Sequence, residues 1–128
     1  MNIRISKKIV DYDFSLKYME EKISKILSRQ EEEEIWLLQH PPLYTAGTSA
    51  REEDILDKDK FPIYEVGRGG KYTYHGPGQR IIYLMLNLKK QYKQPDLKKF
   101  IFDLEQWIID CLDEIGIESF RREGRVGI

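Results

Sequence analysis

The order of apolar and polar residues predicts two amphipathic helices and several short strands. The first helix is indicated from Tyr12, after which apolar residues recur at steps of three and four. They are Tyr12, Leu16, Met19, Ile23, Ile26 and Leu27. Asp11 or Asp13 can cap this helix by accepting hydrogen bonds from its first N–H groups. The opposite face is charged and expected to be solvated; it carries Lys17, Glu20, Glu21, Lys22 and Lys25.

A second helix is predicted in the last third of the chain. Pro95 opens it, Asp96 can cap it and Gly116 ends it. Its apolar stripe consists of Leu97, Phe100, Ile101, Leu104, Trp107, Ile108, Cys111, Leu112 and Ile115. Cys111 lies between acidic neighbours, where nothing would stabilise a thiolate. We therefore expect Cys111 to be a core residue rather than a nucleophile.

Four apolar segments are typical of strands. Residues 35–38 are continuously apolar and predict a buried strand of a central sheet. Residues 80–88 are apolar on both faces, so we expect a central strand that is covered on both sides. Residues 3–10 alternate weakly and predict a short edge strand, and residues 61–66 predict another short strand. The pattern as a whole favours an α/β fold with a central mixed, largely antiparallel sheet flanked by the two helices.

A glycine-rich stretch, residues 67–79, separates two of these strands. Five of its thirteen residues are glycine. Ordered glycine costs conformational entropy, so a cluster suggests φ > 0 turns or a backbone that another group approaches closely. Polar side chains converge here, which favours a pocket wall over a strained hairpin with polar decoration. Pro77 and Gly78 suit a type II turn, and the strands on either side are expected to pair antiparallel.

Composition narrows the function classes. The 21 basic and 22 acidic residues balance, which removes the electrostatic case for a nucleic-acid partner. One cysteine excludes an intrachain disulfide and fits a reducing compartment. No secretory signal is visible at the start of the chain, and no apolar run is long enough to span a bilayer. We expect a single, soluble, cytoplasmic domain over residues 1–128.

Two further features have plain structural explanations. The acidic run of residues 31–34 is expected to be solvated rather than to bind a metal ion. His40 precedes a Pro-Pro turn and has no Cys, Asp or Glu nearby at ligand spacing, so a structural role is favoured over a catalytic one.

The glycine-rich stretch contains the run Arg68-Gly69-Gly70-Lys71-Tyr72-Thr73-Tyr74-His75-Gly76-Pro77-Gly78-Gln79. This run closely resembles the signature of the lipoyl(octanoyl) transferases. Residues 34–47, 112–117 and 123–127 match segments of the same family, so the resemblance covers essentially the whole chain. It implies a biotin/lipoate protein ligase-like catalytic domain.

The resemblance implies an enzyme of protein lipoylation. Octanoyltransferases move an octanoyl group from acyl carrier protein onto a lysine of lipoyl domains, and no cofactor is implied. The implied acceptors are the lipoyl domains of 2-oxoacid dehydrogenase complexes or the glycine cleavage H protein. The catalytic lysine and cysteine of the family lie in segments that should follow Ile128. We therefore expect an incomplete, C-terminally truncated domain that holds half the acyl pocket but not the covalent chemistry.

By the same resemblance, the substrate contacts are Arg68, Gly69, Gly70, Lys71, Tyr72, Thr73, Tyr74 and His75. The two glycines would let an acyl group lie against the backbone, and the tyrosines would form apolar walls. Arg68 would orient backbone or a carrier phosphate. Thr73 and His75 are candidate hydrogen-bond donors, with His75 an orienting group rather than a general base.

Two alternatives remain open. One is an ATP-dependent lipoate or biotin ligase, which shares the broader fold and also uses a glycine-rich loop. The other is a non-enzymatic acyl-binding domain, which the absence of the lysine and cysteine segment would explain.

Overall fold

A computed structural model describes residues 1–92, 94 and 96–128 of the chain. Internal contacts group them into two compact units, Met1–Asn87 and Leu88–Ile128. The first unit contains β1 (Asn2–Ile5), α1 (Tyr12–Leu27), β2 (Glu34–Leu38), β3 (Leu43–Ala46), a 3-10 turn (Glu52–Asp54), β4 (Ile63–Glu65), β5 (Tyr72–His75) and β6 (Ile81–Met85). The second unit contains α2 (Leu88–Gln91) and α3 (Leu97–Asp113).

The strands of the first unit form two mixed sheets of three strands each. In one sheet the order is β1-β2-β6, with β2 parallel to β1 and antiparallel to β6. In the other the order is β4-β3-β5, with β3 parallel to β4 and antiparallel to β5. The α/β class with mixed sheets is confirmed, β1 is at a sheet edge as predicted, and β2 is the central strand of its sheet.

The predicted pairing across the glycine-rich stretch is wrong. β4 and β6 belong to different sheets, and residues 72–75, expected to be loop, form β5. Aromatic and β-branched residues favour a strand there, while residues 67–71 make the reversal that returns β5 antiparallel to β3. β6 is also not central. Among the described residues it pairs with β2 alone, and only Met85 of its residues is buried.

Helix α1 covers the β1-β2-β6 sheet with its apolar face. Asp11 caps the helix by accepting a hydrogen bond from the Phe14 amide at 2.9 Å. The buried cluster between the helix and the sheet consists of Ile26 of α1 with Trp36, Leu38 and Met85 of the strands. The helix and its predicted cap are confirmed. The predicted apolar face is only partly buried, because Ile23 and Leu27 are exposed while Tyr12 and Ile26 are buried.

The second unit is built on α3. Asp96 caps it by accepting from the amides of Lys98 and Lys99, whereas Pro95 lies outside the described residues. At the other end Gly116 has φ of 75°, which suits the left-handed turn that ends a helix. The prediction that Cys111 fills a core is wrong, because its side chain is exposed. The apolar period alone did not establish burial, and none of the described residues of α3 is buried within the chain.

A buried ion pair lies where a solvated surface was expected. Lys22 of α1 is 6% exposed, and its Nζ lies 2.6 Å from Glu31 Oε2 and 3.4 Å from Glu34 Oε2. Glu34 is equally buried and accepts a hydrogen bond from the Tyr18 hydroxyl at 2.8 Å. The hydrogen bond with Glu31 raises the pKa of Lys22. The acidic run is therefore only partly solvated, because its last residue enters β2.

Replacing Lys22 tests this pair. Lys22→Met keeps the volume but leaves Glu34 as a buried charge without its cation, so we expect a loss of about 3 kcal/mol in the free energy of unfolding, measured with urea. Lys25→Met is the matched control, because Lys25 also pairs with Glu31 but is half exposed. Equal stability of the two variants would contradict the importance of the buried pair.

Candidate functional site

The glycine-rich stretch is hydrogen-bonded to the backbone that follows β3. Three amides donate to loop carbonyls: Gly47 to Lys71 at 3.1 Å, Thr48 to Arg68 at 2.9 Å and Ser49 to Gly70 at 3.1 Å. Gly70 has φ of 90°, a conformation that favours glycine. The stretch is thus an ordered extension of the sheet rather than a loose loop.

The Arg68 guanidinium folds back onto its own loop. Its Nη1 donates to the carbonyls of Gly69 at 3.0 Å and Lys71 at 3.2 Å. Its Nη2 reaches the Thr45 carbonyl at 3.1 Å, Thr45 Oγ1 at 2.7 Å and Thr73 Oγ1 at 2.8 Å. Of the two roles predicted for Arg68, the structure shows the orientation of neighbouring backbone.

Strand alternation divides the predicted substrate contacts between two faces. Thr73 lies opposite Thr45 in the β3–β5 register, and successive side chains of a strand point to opposite sides. Thr73 and His75 therefore share one face, while Tyr72 and Tyr74 point to the other. The residues of β5 do not form one continuous wall.

The tyrosine face is aromatic and largely open. The Tyr74 ring lies 5.9 Å from the Tyr44 ring and 5.5 Å from that of Phe61, between centroids, and Tyr74 is 44% exposed. Tyr72 borders a groove of about 410 Å³ at the ends of β3 and β4. This face is an aromatic surface beside a shallow groove.

The opposite face carries a line of hydrogen-bonding groups. His75 Nε2 lies 3.5 Å from Thr45 Oγ1, and His75 Nδ1 lies 2.8 Å from Gln79 Oε1. The Gly78 amide donates to Gln39 Oε1 at 2.8 Å, which holds the turn that carries Gln79. His75, for which the sequence indicated no partner, thus has one on each ring nitrogen.

His40 has the structural role expected of it. It is fully buried, its Nδ1 lies 2.8 Å from the Val10 carbonyl and its Nε2 2.8 Å from the Tyr83 hydroxyl. Burial lowers the pKa of His40, which favours the neutral ring. Burial also raises the pKa of Tyr83 to about 12. The Tyr12 ring packs edge-on against His40 at 5.2 Å, which closes this polar core.

Lys71, another of the predicted contacts, forms an ion pair with Asp54 of the 3-10 turn. Its ammonium group holds the pKa of Asp54 below the usual range for a carboxyl. The pair links the glycine-rich stretch to the segment after β3.

Gly47 is a site residue that sequence reasoning missed. A Cβ placed on it would lie 2.3 Å from the Gly70 carbonyl oxygen and 2.9 Å from Arg68 Nη1. Its sequence signal was a glycine at the end of residues 34–47, one of the segments that match the family. Gly69 contrasts with it, because a Cβ there would meet nothing within 4 Å. The loop therefore packs tightly against Gly47, whereas the space beside the Gly69 backbone is unoccupied by protein atoms.

The described part of the chain offers neither a metal-binding cluster nor a membrane-spanning helix. No group of three or more His, Cys, Asp or Glu side chains there is placed to hold a metal ion. None of the helices there combines the length and the apolar character needed to cross a membrane.

Comparison with known proteins shows which family the chain resembles. The family model of the lipoyl protein ligase A/B catalytic domain matches residues 11–128. The octanoyltransferase of Wolbachia pipientis wMel is 58% identical over 97% of this chain and 60% of its own length. That of Bartonella tribocorum is 52% identical over 98% of this chain and 50% of its own length. The chain thus spans between half and three-fifths of these curated relatives.

A solved structure supports the fold alone. The T. acidophilum protein Ta0514, provisionally described as a lipoate protein ligase, aligns with a TM-score of 0.61 over 100% of this chain and 54% of its own. The sequences are 14% identical, so this likeness concerns architecture and not activity.

The contrast between Gly47 and Gly69 is directly testable. Gly47→Ala forces a methyl group into the seated backbone, and we expect it to lower the free energy of unfolding by about 1–3 kcal/mol, the usual cost of overpacking. Gly69→Ala adds the same atom in open space and should leave stability unchanged or slightly raised. Urea unfolding of both variants measures this, and a stable Gly47→Ala chain would show that the loop is not seated as described.

Proposed function

The chain belongs to the lipoyl protein ligase A/B catalytic domain family, and from that membership we propose that it is the acyl-binding part of an octanoyltransferase. The reaction transfers an octanoyl group from octanoyl-acyl carrier protein to a lysine of a lipoyl domain, without a cofactor. A C–N bond forms at the lysine, the C–S bond of the thioester breaks and the carrier thiol leaves. We place this reaction in the cytoplasm, as the first step of protein lipoylation by endogenous synthesis.

The observation that carries the proposal is the open backbone at Gly69, whose carbonyl shares the Arg68 guanidinium with the Thr73 hydroxyl. No atom lies within 4 Å of the space where a Gly69 side chain would stand. Among the described residues, the amides of Gly69 and Gly70 donate to none of the loop's hydrogen bonds. Free amides and an uncovered backbone suit the carbonyl of a thioester, whose oxygen gains negative charge during acyl transfer.

The two faces of β5 would then serve different purposes. We assign the reacting thioester to the face of Thr73 and His75, because its hydrogen-bonding groups converge there. Arg68 would hold the loop in this conformation through its hydrogen bonds to the Gly69 and Lys71 carbonyls. Tyr72 and Tyr74 would meet a substrate only where it passes the opposite face, and Lys71 would act through its pair with Asp54. Lipoyl domains of 2-oxoacid dehydrogenase complexes or the glycine cleavage H protein are the proposed acceptors.

We further propose that the covalent step requires residues outside this chain. The family places its catalytic lysine and cysteine in the part of the relatives that this chain does not span. Cys111, the one cysteine of the sequence, lies on α3 beside Asp110 and Asp113, and none of the four residues on either side of it is cationic. Lys71 is paired with a carboxylate and is not at the family's catalytic position.

A paired binding and transfer assay tests both proposals. Octanoyl-acyl carrier protein is titrated into the chain and binding is followed by calorimetry, while mass spectrometry monitors octanoylation of an added lipoyl domain. We expect binding without octanoylation. Absence of binding would overturn the acyl-site proposal, and octanoylation by this chain alone would overturn the proposal that the covalent step lies elsewhere. Octanoyl-adenylate formation from ATP and free octanoate would favour the ligase alternative.

A matched pair of glycine variants locates the binding site. Gly69→Val adds a branched side chain over the open backbone, and we expect it to weaken binding at least tenfold, about 1.4 kcal/mol. Gly67→Val is the control, since Gly67 is equally open but lies outside the predicted contacts. Gly70 is unsuitable because its positive φ would strain any side chain. Equal binding by both variants would remove Gly69 from the site, and circular dichroism verifies that each variant is folded.

A further inference from the structure

We infer that Thr45 and Gln79 hold His75 as the Nδ1-protonated tautomer, leaving Nε2 as a hydrogen-bond acceptor on the Thr73 face. Thr45 and Gln79 are then positioning residues outside the predicted contact set. The tautomer itself follows from the hydrogen bonds alone. Its role in acyl transfer rests on the function proposed above.

Thr45 decides the state of Nε2. The Thr45 side chain is buried, at 2% exposure, so its hydroxyl proton needs an acceptor within the protein. Among the described residues, Thr45 Oγ1 has two side-chain partners, Arg68 at 2.7 Å and His75 Nε2 at 3.5 Å. A guanidinium has no acceptor atom. The proton of Thr45 is therefore directed to His75 Nε2, which must carry a lone pair.

Gln79 completes the assignment at the other nitrogen. A neutral imidazole with an unprotonated Nε2 carries its proton on Nδ1. That proton points to Gln79 Oε1 at 2.8 Å, so the amide oxygen rather than the amide nitrogen faces the ring. The backbone N–H of Gln79 donates to the Gly76 carbonyl at 3.1 Å, which fixes the position of this residue in the turn.

The environment of His75 contains two other groups of relevance. The Arg68 guanidinium donates to Thr45 Oγ1, the atom that contacts His75. The centroid of the His40 ring lies 6.3 Å from that of the His75 ring. His40 has the same tautomer for a simpler reason. Its Nδ1 faces the Val10 carbonyl, which can only accept, and its Nε2 then accepts from Tyr83. The chain's two histidines thus share one protonation pattern.

This tautomer changes the chemistry available at the site. In this state Nε2 has no proton to donate to the oxyanion of an acyl-transfer intermediate, and its one lone pair already accepts from Thr45, so His75 acts as an orienting group and not as a proton donor or general base. Donation to the oxyanion then falls to the Gly69 and Gly70 amides and to Thr73. Thr73 Oγ1 accepts from Arg68 at 2.8 Å, and its own proton remains to be donated.

Nitrogen NMR of the chain with ¹⁵N-labelled histidine tests the inference without any substrate. The sequence contains two histidines, so two sets of ring signals are expected, and His40 serves as an internal reference. At a pH where both rings are neutral, we expect a protonated Nδ1 and an unprotonated Nε2 for His75. A protonated Nε2 in the wild-type chain would overturn the inference.

Four variants identify the residues responsible. Thr45→Val removes the hydroxyl and Gln79→Ala removes the amide oxygen, so each should shift the His75 signals toward a mixture of tautomers. Thr45→Ser and Gln79→Glu keep an oxygen at each place and should retain the Nδ1-protonated pattern. His40 should keep its pattern in all four. Unchanged His75 signals in both Thr45→Val and Gln79→Ala would overturn the positioning roles. A failure of octanoyl binding would leave this NMR result standing.

Discussion

The Arg68 guanidinium is the interaction on which the candidate site depends. It joins the end of β3, 23 residues away in sequence, to its own loop and to the Thr73 hydroxyl of β5. A planar group with several fixed donors suits this task, because it satisfies carbonyls and hydroxyls that point at one place from different directions. Without a small residue at Gly47 the loop carbonyls could not approach closely enough for this arrangement.

Ordering the loop in this way separates its residues by function. Once residues 72–75 pair with β3, the period of two of a strand places neighbouring side chains on opposite faces. The polar face joins Arg68, Thr73 and His75 to the buried Thr45. The aromatic face joins Tyr74 to Tyr44 and Phe61. The proposed chemistry follows from that separation, since one face offers hydrogen bonds and the other offers apolar surface.

Buried polar groups recur in the first unit, and each is matched to a partner. Lys22 is neutralised by Glu31 and Glu34, and His40 is satisfied by a carbonyl and a hydroxyl. Such groups are costly to bury alone but acceptable when they are paired and hydrogen-bonded. The partners lie far apart in the sequence, so the charge pattern of α1 by itself indicated a solvated face.

Local sequence was sufficient for the features set by local physics. The helix α1 and its Asp11 cap, the burial of β2, the turn at Gly116 and the α/β class could all be predicted from the local order of apolar, polar and turn-forming residues. The run from Arg68 to Gln79 also marked the candidate site. Tertiary structure decided the rest: the division into two sheets, the place of β5 beside β3, the exposure of Cys111 and the partners of His75. Those depend on which distant segments pack together, and the two-residue alternation of a strand does not by itself show which of its faces meets the protein interior.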